Sequence, residues 1–100
     1  MGNQSIEVPK HLESTYRMIS SAYPNGIDES KYFPLIAVLY EYMSDRNLAE
    51  VISLFTSKKI EVVLNYVYRS QSTNKPHEYE IESIKRELTP FGFEKWTEEE

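Results

Sequence analysis

The amino-acid sequence predicts an all-α fold, a compact bundle of about five short helices in a single domain. Three observations support this fold class. Apolar residues recur at helical spacing, turn-forming residues separate the helical segments, and 100 residues suffice for one domain but not for two. The chain contains no cysteine, so the prediction includes neither a disulfide nor a thiolate metal site.

The first helix is predicted to begin at Val8-Pro9, after a flexible N-terminal tail at residues 1–7. Proline suits the first helical position, because the N–H that it lacks would have no partner there. Pro24 ends the helix, and Asn25-Gly26 supplies a turn. The apolar face has the spacing i, i+4, i+7 and i+11 and consists of Leu12, Tyr16, Ile19 and Tyr23.

The second helix is predicted to be the buried centre of the bundle. Asp28 or Ser30 can cap it, Pro34 lies in its first turn, and residues 35–43 are apolar on almost every side. Ser44-Asp45 ends this helix and caps the third one. The third helix has apolar residues at i, i+3, i+4 and i+7, namely Leu48, Val51, Ile52 and Phe55.

Residues 58–70, which Ser57 is expected to start, fit two patterns. β-Branched and aromatic residues alternate as in a strand, but a helix is also consistent with the spacing of Ile60, Val63, Leu64 and Val67. The sequence contains no second strand-like run to pair with, which favours the helix and leaves the strand as the alternative. The alternating residues are Ile60, Val62, Leu64, Tyr66 and Tyr68.

The fifth helix is predicted to open at Pro76, after a polar linker at residues 71–74, and to end before Gly92. Its apolar stripe consists of Ile81, Ile84 and Leu88, and the residues after it, Phe93 and Trp96, are expected to fold back onto the core. The predicted division of the chain is the tail at 1–7, a helical domain at 8–96 and a frayed acidic C-terminus at 97–100.

The most distinctive motif is Tyr23-Pro24-Asn25-Gly26, followed by Asp28 and by Tyr32-Phe33-Pro34. Gly26 can adopt a positive φ at little cost, and Asp28 can accept hydrogen bonds from free helix amides. The motif is therefore interpreted as structural, setting the angle between the first two helices; the alternative is a docking site formed by Tyr23, Asp28 and Tyr32. The structural motif consists of Tyr23, Pro24, Gly26, Asp28, Tyr32 and Pro34.

The order of these motifs resembles a family of short all-helical bacterial proteins that is classed as a domain of unknown function and is best known from mycobacteria. The matching pattern runs from Tyr23 to Leu39 and returns at residues 81–84, Leu88 and Gly92-Phe93. It covers roughly residues 12–96. The resemblance implies a compact helical bundle and carries over no catalytic residue.

The charge and hydropathy of the chain restrict its partners. Eleven basic and 16 acidic residues give a net charge of −5, which disfavours a nucleic-acid partner. No apolar run reaches the length of about 18 residues that a membrane helix needs, and the first residues do not resemble a secretory signal. The expected location is therefore the cytoplasm, with no membrane association.

No residue pattern indicates catalysis, a cofactor or a metal. His11 and His77 lack the spacing of a metal site, and three glycines are too few for a phosphate-binding loop. Ser57 precedes Lys58, but a helix cap explains the serine equally well. The prediction is a protein that is not an enzyme and has no cofactor.

Eight tyrosines in 100 residues is a high number. Tyr40 and Tyr42 lie two residues apart on one helix, so their side chains point roughly 200° apart, and the same holds for Tyr66 and Tyr68. Some of these rings must therefore lie near the surface, where tyrosine is a common interface residue; the alternative is that they line a small core. The candidate partner surface consists of Tyr40, Tyr42, Tyr66, Tyr68 and Tyr79.

Two functions are carried forward from the sequence. The first is a non-catalytic protein-interaction module, in one version an immunity or inhibitor protein and in another a homodimer. The alternative is a nucleic-acid-binding regulator that uses the helices at 46–56 and 58–70, with Lys58, Lys59 and Arg69 contacting phosphates.

Overall fold

The computed structural model describes residues 7–99, which form six α-helices and three short 3-10 helices. No strand occurs within this range, so the all-α prediction is confirmed and the strand alternative for residues 58–70 is wrong. Apart from Glu7, the predicted tail lies outside the described residues, as does Glu100. The α-helices are α1 (Glu13–Ala22), α2 (Tyr32–Tyr40), α3 (Asp45–Thr56), α4 (Ile60–Ser70), α5 (Glu78–Leu88) and α6 (Phe93–Glu99), and the 3-10 helices are η1 (Lys10–Leu12), η2 (Glu29–Lys31) and η3 (Thr89–Phe91).

Helix α2 is the central element and packs against α3, α4 and α5. Leu35, Ile36 and Leu39 are fully buried, because nearly every face of this short helix is apolar and other helices surround it. Burying one such side chain contributes about 1.5–3 kcal/mol relative to leaving it in water. The start of α2 lies between α4 and α5, since Tyr32 contacts a ring of α4 and Lys31 contacts a carboxylate of α5.

The turn between α3 and α4 differs in part from the prediction. Helix α3 begins as expected, because the Ser44 hydroxyl accepts a hydrogen bond from the Asn47 amide at 3.1 Å. Ser57 does not start α4; it ends α3 with a left-handed backbone, at φ 61°. Lys59 has extended backbone angles, so α4 begins only at Ile60 and the connection is the three-residue turn 57–59.

A sixth helix follows α5, where the sequence predicted only that aromatic residues would return to the core. Gly92, at φ 88°, reverses the chain between η3 and α6. Trp96 is buried, and its Nε1–H donates a hydrogen bond of 2.8 Å to the Thr15 hydroxyl of α1, which is also buried. This bond ties the end of the chain to α1, and α6 continues through Glu99.

Candidate functional site

The five candidate tyrosines do not form one exposed surface. Tyr68 on α4 and Tyr79 on α5 are 69% and 71% exposed, whereas Tyr40, at the end of α2, is 37% exposed. Tyr42 is half-buried and makes edge-to-face contacts with two rings of α6. Its ring centroid lies 6.1 Å from that of Phe93 and 5.7 Å from that of Trp96. Tyr42 therefore lines the core under α6, while Tyr68 and Tyr79 remain available to a partner.

Tyr66 belongs to an aromatic cluster between the start of α2 and α4. Its ring centroid lies 5.4 Å from that of Phe33 and 6.3 Å from that of Tyr32. The three rings are half-buried and form the floor of an open groove of about 460 Å³. We call this the aromatic–basic groove; its lining residues are Glu29, Ser30, Tyr32, Phe33, Tyr66 and Arg69.

Two cations border this cluster. The guanidinium of Arg69 lies 5.3 Å from the Phe33 ring centroid, and the Lys58 ammonium lies 6.0 Å from the Tyr66 ring centroid. A cation at such a distance over an aromatic face is attracted by the ring quadrupole, by about 0.5–1 kcal/mol at an exposed site. Arg69 is further positioned by its Nε–H, which donates a 2.9 Å hydrogen bond to Asn74. The groove therefore combines aromatic rings with two neighbouring cations, and one carboxylate, that of Glu29, also lines it.

The same helix extends the apolar surface beyond the groove. Val62, Tyr66 and Arg69 have the spacing i, i+4 and i+7, so they share one side of α4. Val62 is 41% exposed. Tyr68 is also exposed, but its side chain points roughly 200° around the helix from that of Tyr66. Helix α4 thus exposes Val62 beside the aromatic–basic groove and Tyr68 on another side of the helix.

The exposed Tyr79 lies on the other side of η2. It lines a smaller groove of about 160 Å³ together with Lys31 and Pro34, and Ser30 lines both grooves. The Tyr79 ring also stacks on His77, with centroids 5.5 Å apart. The segment η2 therefore separates a groove on the α4 side from a groove on the α5 side.

The distinctive motif holds η2 in place. Tyr23, which ends α1 just before Pro24, donates its hydroxyl hydrogen to Glu87 at 2.7 Å, and the Lys31 ammonium donates to the other oxygen of Glu87 at 2.9 Å. Burial and the hydrogen bond to Glu87 raise the pKa of Tyr23. Burial alone would raise the pKa of Glu87, but the hydrogen bonds from Tyr23 and Lys31 outweigh it and lower that pKa. The three side chains connect α1, η2 and α5.

The remaining motif residues shape the same connection. Gly26 has φ 96°, and Pro34 is buried in the first turn of α2. The Asp28 carboxylate accepts hydrogen bonds from the hydroxyl and the amide of Ser30, which lower its pKa and cap η2. Within this motif, Tyr32 also lines the aromatic–basic groove. The motif thus builds the fold, and its Tyr32 and Phe33 contribute two rings to the candidate site.

The residues weighed for metal or nucleophilic chemistry lie apart from this groove. His11 is 3.4 Å from a Glu50 oxygen, and His77 stacks on Tyr79. Across residues 7–99, no three histidine, aspartate or glutamate side chains converge in a way that could hold a metal ion. In the same stretch of chain, no helix is long and apolar enough to cross a membrane.

Comparison with known proteins places most of the chain in one family. No curated protein and no solved structure matches the chain. A family model described as "Protein of unknown function (DUF3349)" matches residues 10–96, which is most of the chain and nearly the range of the resemblance found in the sequence. The protein therefore belongs to the DUF3349 family.

Proposed function

We propose that this domain is a cytoplasmic, non-catalytic protein-interaction module whose contact surface is the outer side of α4 with the aromatic–basic groove. The observation that carries the proposal is the exposure of Tyr68, at 69%, on the same helix as Val62, at 41%. Tyrosine is enriched in interfaces because it combines a large apolar body with a polar tip. The absence of cysteine is compatible with the reducing cytoplasm.

The aromatic–basic groove would form the centre of the proposed contact surface. Protein interfaces concentrate their binding energy in a few aromatic and arginine side chains that lose water on binding, surrounded by residues that contribute little. Tyr66, Phe33 and Arg69 are residues of these types, and they are already in contact before any partner arrives. A preformed cluster loses less side-chain entropy on binding than separate exposed side chains do.

Photo-crosslinking in the native host tests this proposal. We expect the variant Tyr68→p-benzoyl-L-phenylalanine to give one discrete adduct with another protein upon irradiation. The matched control carries the same photoreactive residue in place of Glu94, which is exposed on α6. Adducts of equal yield from both positions, or no adduct from Tyr68, would contradict the proposed surface.

In one form of the same proposal, the partner is a second copy of this chain, so that the protein forms a homodimer. In that case the adduct from Tyr68 has twice the mass of the chain, and sedimentation equilibrium of the purified protein shows dimers. Tyr68→Ser would then weaken the dimer, because the exposed ring would no longer be buried against the second copy. If the purified protein is monomeric at all concentrations and the adduct has a different mass, the partner is another protein and not a second copy of the chain.

One observation favours the nucleic-acid alternative. Helices α3 and α4 pack together through a three-residue turn, and Ser57 adopts the positive φ that glycine often supplies in such turns. The exposed positions of α4 are nevertheless Glu61, Val62, Asn65 and Tyr68, and its one cation, Arg69, is half-buried beside the groove. Salt-dependent binding of labelled DNA or RNA, weakened by Lys59→Ala, would support this alternative.

A further inference from the structure

The aromatic–basic groove carries positive charge on an acidic protein. The chain has a net charge of −5, yet Lys58 and Arg69 have no carboxylate within 4 Å anywhere in residues 7–99. The ion pairs in that range are Lys31–Glu87 and the contact of His11 with Glu50. Glu29 lines the groove but pairs with neither cation. The two cations are therefore free to pair with an incoming anion.

Arg69 presents hydrogen-bond donors in a fixed orientation. Its Nε–H is used by Asn74 at 2.9 Å, and its guanidinium lies against the Phe33 ring. The terminal Nη groups make no hydrogen bond to any other residue of the described range. These paired N–H groups match the two oxygens of a carboxylate, which arginine binds in a bidentate manner. The geometry thus favours recognition of a carboxylate over a neutral group.

Apolar surface lies directly beside these donors. The Tyr66 and Phe33 rings form the groove floor, and Val62 is exposed one helical turn from Tyr66. A ligand that carries a carboxylate and an apolar side chain can use both features at once. Peptide segments with acidic residues next to an aliphatic or aromatic residue have this chemistry.

We infer that the groove binds a short acidic peptide segment of the partner protein, with one carboxylate on the Arg69 guanidinium, a second near Lys58 and an apolar side chain on Tyr66. The inference rests on the proposed function, since it specifies the partner's chemistry at the same surface. A polyanion such as RNA fits less well, because its many phosphates extend beyond the two cations onto a protein of net charge −5, whereas a short peptide needs to place only two carboxylates.

Peptide display on the full-length protein tests this inference. Selection from a random 12-residue library is expected to enrich sequences with acidic residues beside a leucine or an aromatic residue. Binding of the enriched peptides, synthesised with fluorescein, is then measured by fluorescence anisotropy. The Lys58→Ala/Arg69→Ala double variant should bind about tenfold more weakly, because two charge-assisted contacts are lost. Added salt should weaken binding to the wild-type protein.

A matched control removes two cations elsewhere. Lys10→Ala/Lys95→Ala changes the net charge equally at exposed lysines of η1 and α6 and should leave peptide affinity unchanged. Arg69→Lys keeps the charge but loses the bidentate fork, so an intermediate loss of affinity is expected. Circular dichroism and thermal unfolding confirm that each variant is folded.

Several results would overturn the inference. They include enrichment of basic or purely apolar peptides, equal losses in the groove and control double variants, and tighter binding of a fluorescein-labelled oligonucleotide than of any acidic peptide. A library that yields no binder also counts against it. If crosslinking through Tyr68 still captures a partner and Lys58→Ala/Arg69→Ala leaves that capture unchanged, the acidic-peptide inference fails while the proposed function stands.

Discussion

The variant Tyr23→Phe isolates one hydrogen bond that joins the end of α1 to α5. It removes only the hydroxyl that donates to Glu87 at 2.7 Å, and the Tyr23 ring, 8% exposed, stays in place. A hydrogen bond to a charged group contributes about 1.5–3 kcal/mol when the charge is buried. Glu87 is 35% exposed and also bonded to Lys31, so water and lysine can partly replace the hydroxyl. We therefore expect a loss of about 1–2 kcal/mol in the free energy of unfolding.

Urea unfolding followed by circular dichroism measures this loss, and thermal unfolding gives a second estimate. For a domain of this size, 1 kcal/mol corresponds to about 4–8 °C in Tm. The matched control is Tyr68→Phe, which removes a hydroxyl from an exposed tyrosine and should change stability by less than about 0.5 kcal/mol. Equal stabilities of the two variants would refute the assigned role of the Tyr23 hydroxyl.

The pH dependence of the Tyr23→Phe effect provides an independent check. The pKa of Glu87 lies below its ordinary value of 4.5, so the stability that it contributes is present above that pH and is lost as the pH falls through the lowered pKa. The pKa of Tyr23 is raised above 10.0, so its contribution is present below pH 10.0 and is lost as the pH rises further. The difference between wild type and variant should thus be largest between these limits and shrink in acid. A difference that grows below pH 4 would contradict the ion-pair geometry.

Substitutions at three further positions probe the core and the turns, each measured by urea unfolding. Leu39→Ala, in the buried centre of α2, should lower the free energy of unfolding by about 2–5 kcal/mol, and an unchanged midpoint would show that α2 is not central. Thr15→Val leaves the buried Trp96 indole N–H without its acceptor and should lower the free energy of unfolding by about 1–3 kcal/mol. An unchanged free energy of unfolding would mean that the 2.8 Å hydrogen bond does not contribute to stability. Ser57→Gly relieves a positive φ and should leave stability unchanged or raise it by up to about 1 kcal/mol, while Ser57→Val should lower it. A valine variant more stable than the glycine variant would argue against the left-handed conformation at residue 57.

The elements with one consistent pattern were predictable from the sequence. The cap at Ser44 and the apolar centre of α2 were predicted because each depends on residues close together in the chain. The ambiguity of α4 has a physical origin. Its buried residues Val63 and Val67 follow helical spacing, while Val62 and Tyr68, which completed the strand-like alternation, are exposed. A helix satisfies its own backbone groups, and a lone strand would have left them unpaired.

The candidate site was predictable only in pieces. The sequence suggested Tyr66 as an interface residue and Arg69 as a cation, but it gave no reason to place them beside Phe33. Phe33 and Arg69 belong to different helices and meet because α2 packs against α4. Such tertiary contacts have no periodic signature in a single sequence. Asn74, which orients Arg69, was read only as part of a polar linker.

The structural motif and the proposed binding groove are mechanically connected. Tyr32 and Phe33, two rings of the groove, directly follow η2, whose Lys31 is held by Glu87 of α5. The other two large side chains of the groove, Tyr66 and Arg69, belong to α4, which packs against α2 and is not part of the contact between Lys31 and Glu87. The width of the groove therefore depends on how firmly η2 is anchored, and a loss of that anchor should reach the groove through the lining residues of η2 and through Tyr32 and Phe33, which follow it. It follows that Tyr23→Phe should affect peptide affinity as well as stability, whereas Thr15→Val, which loosens α6, should affect stability only.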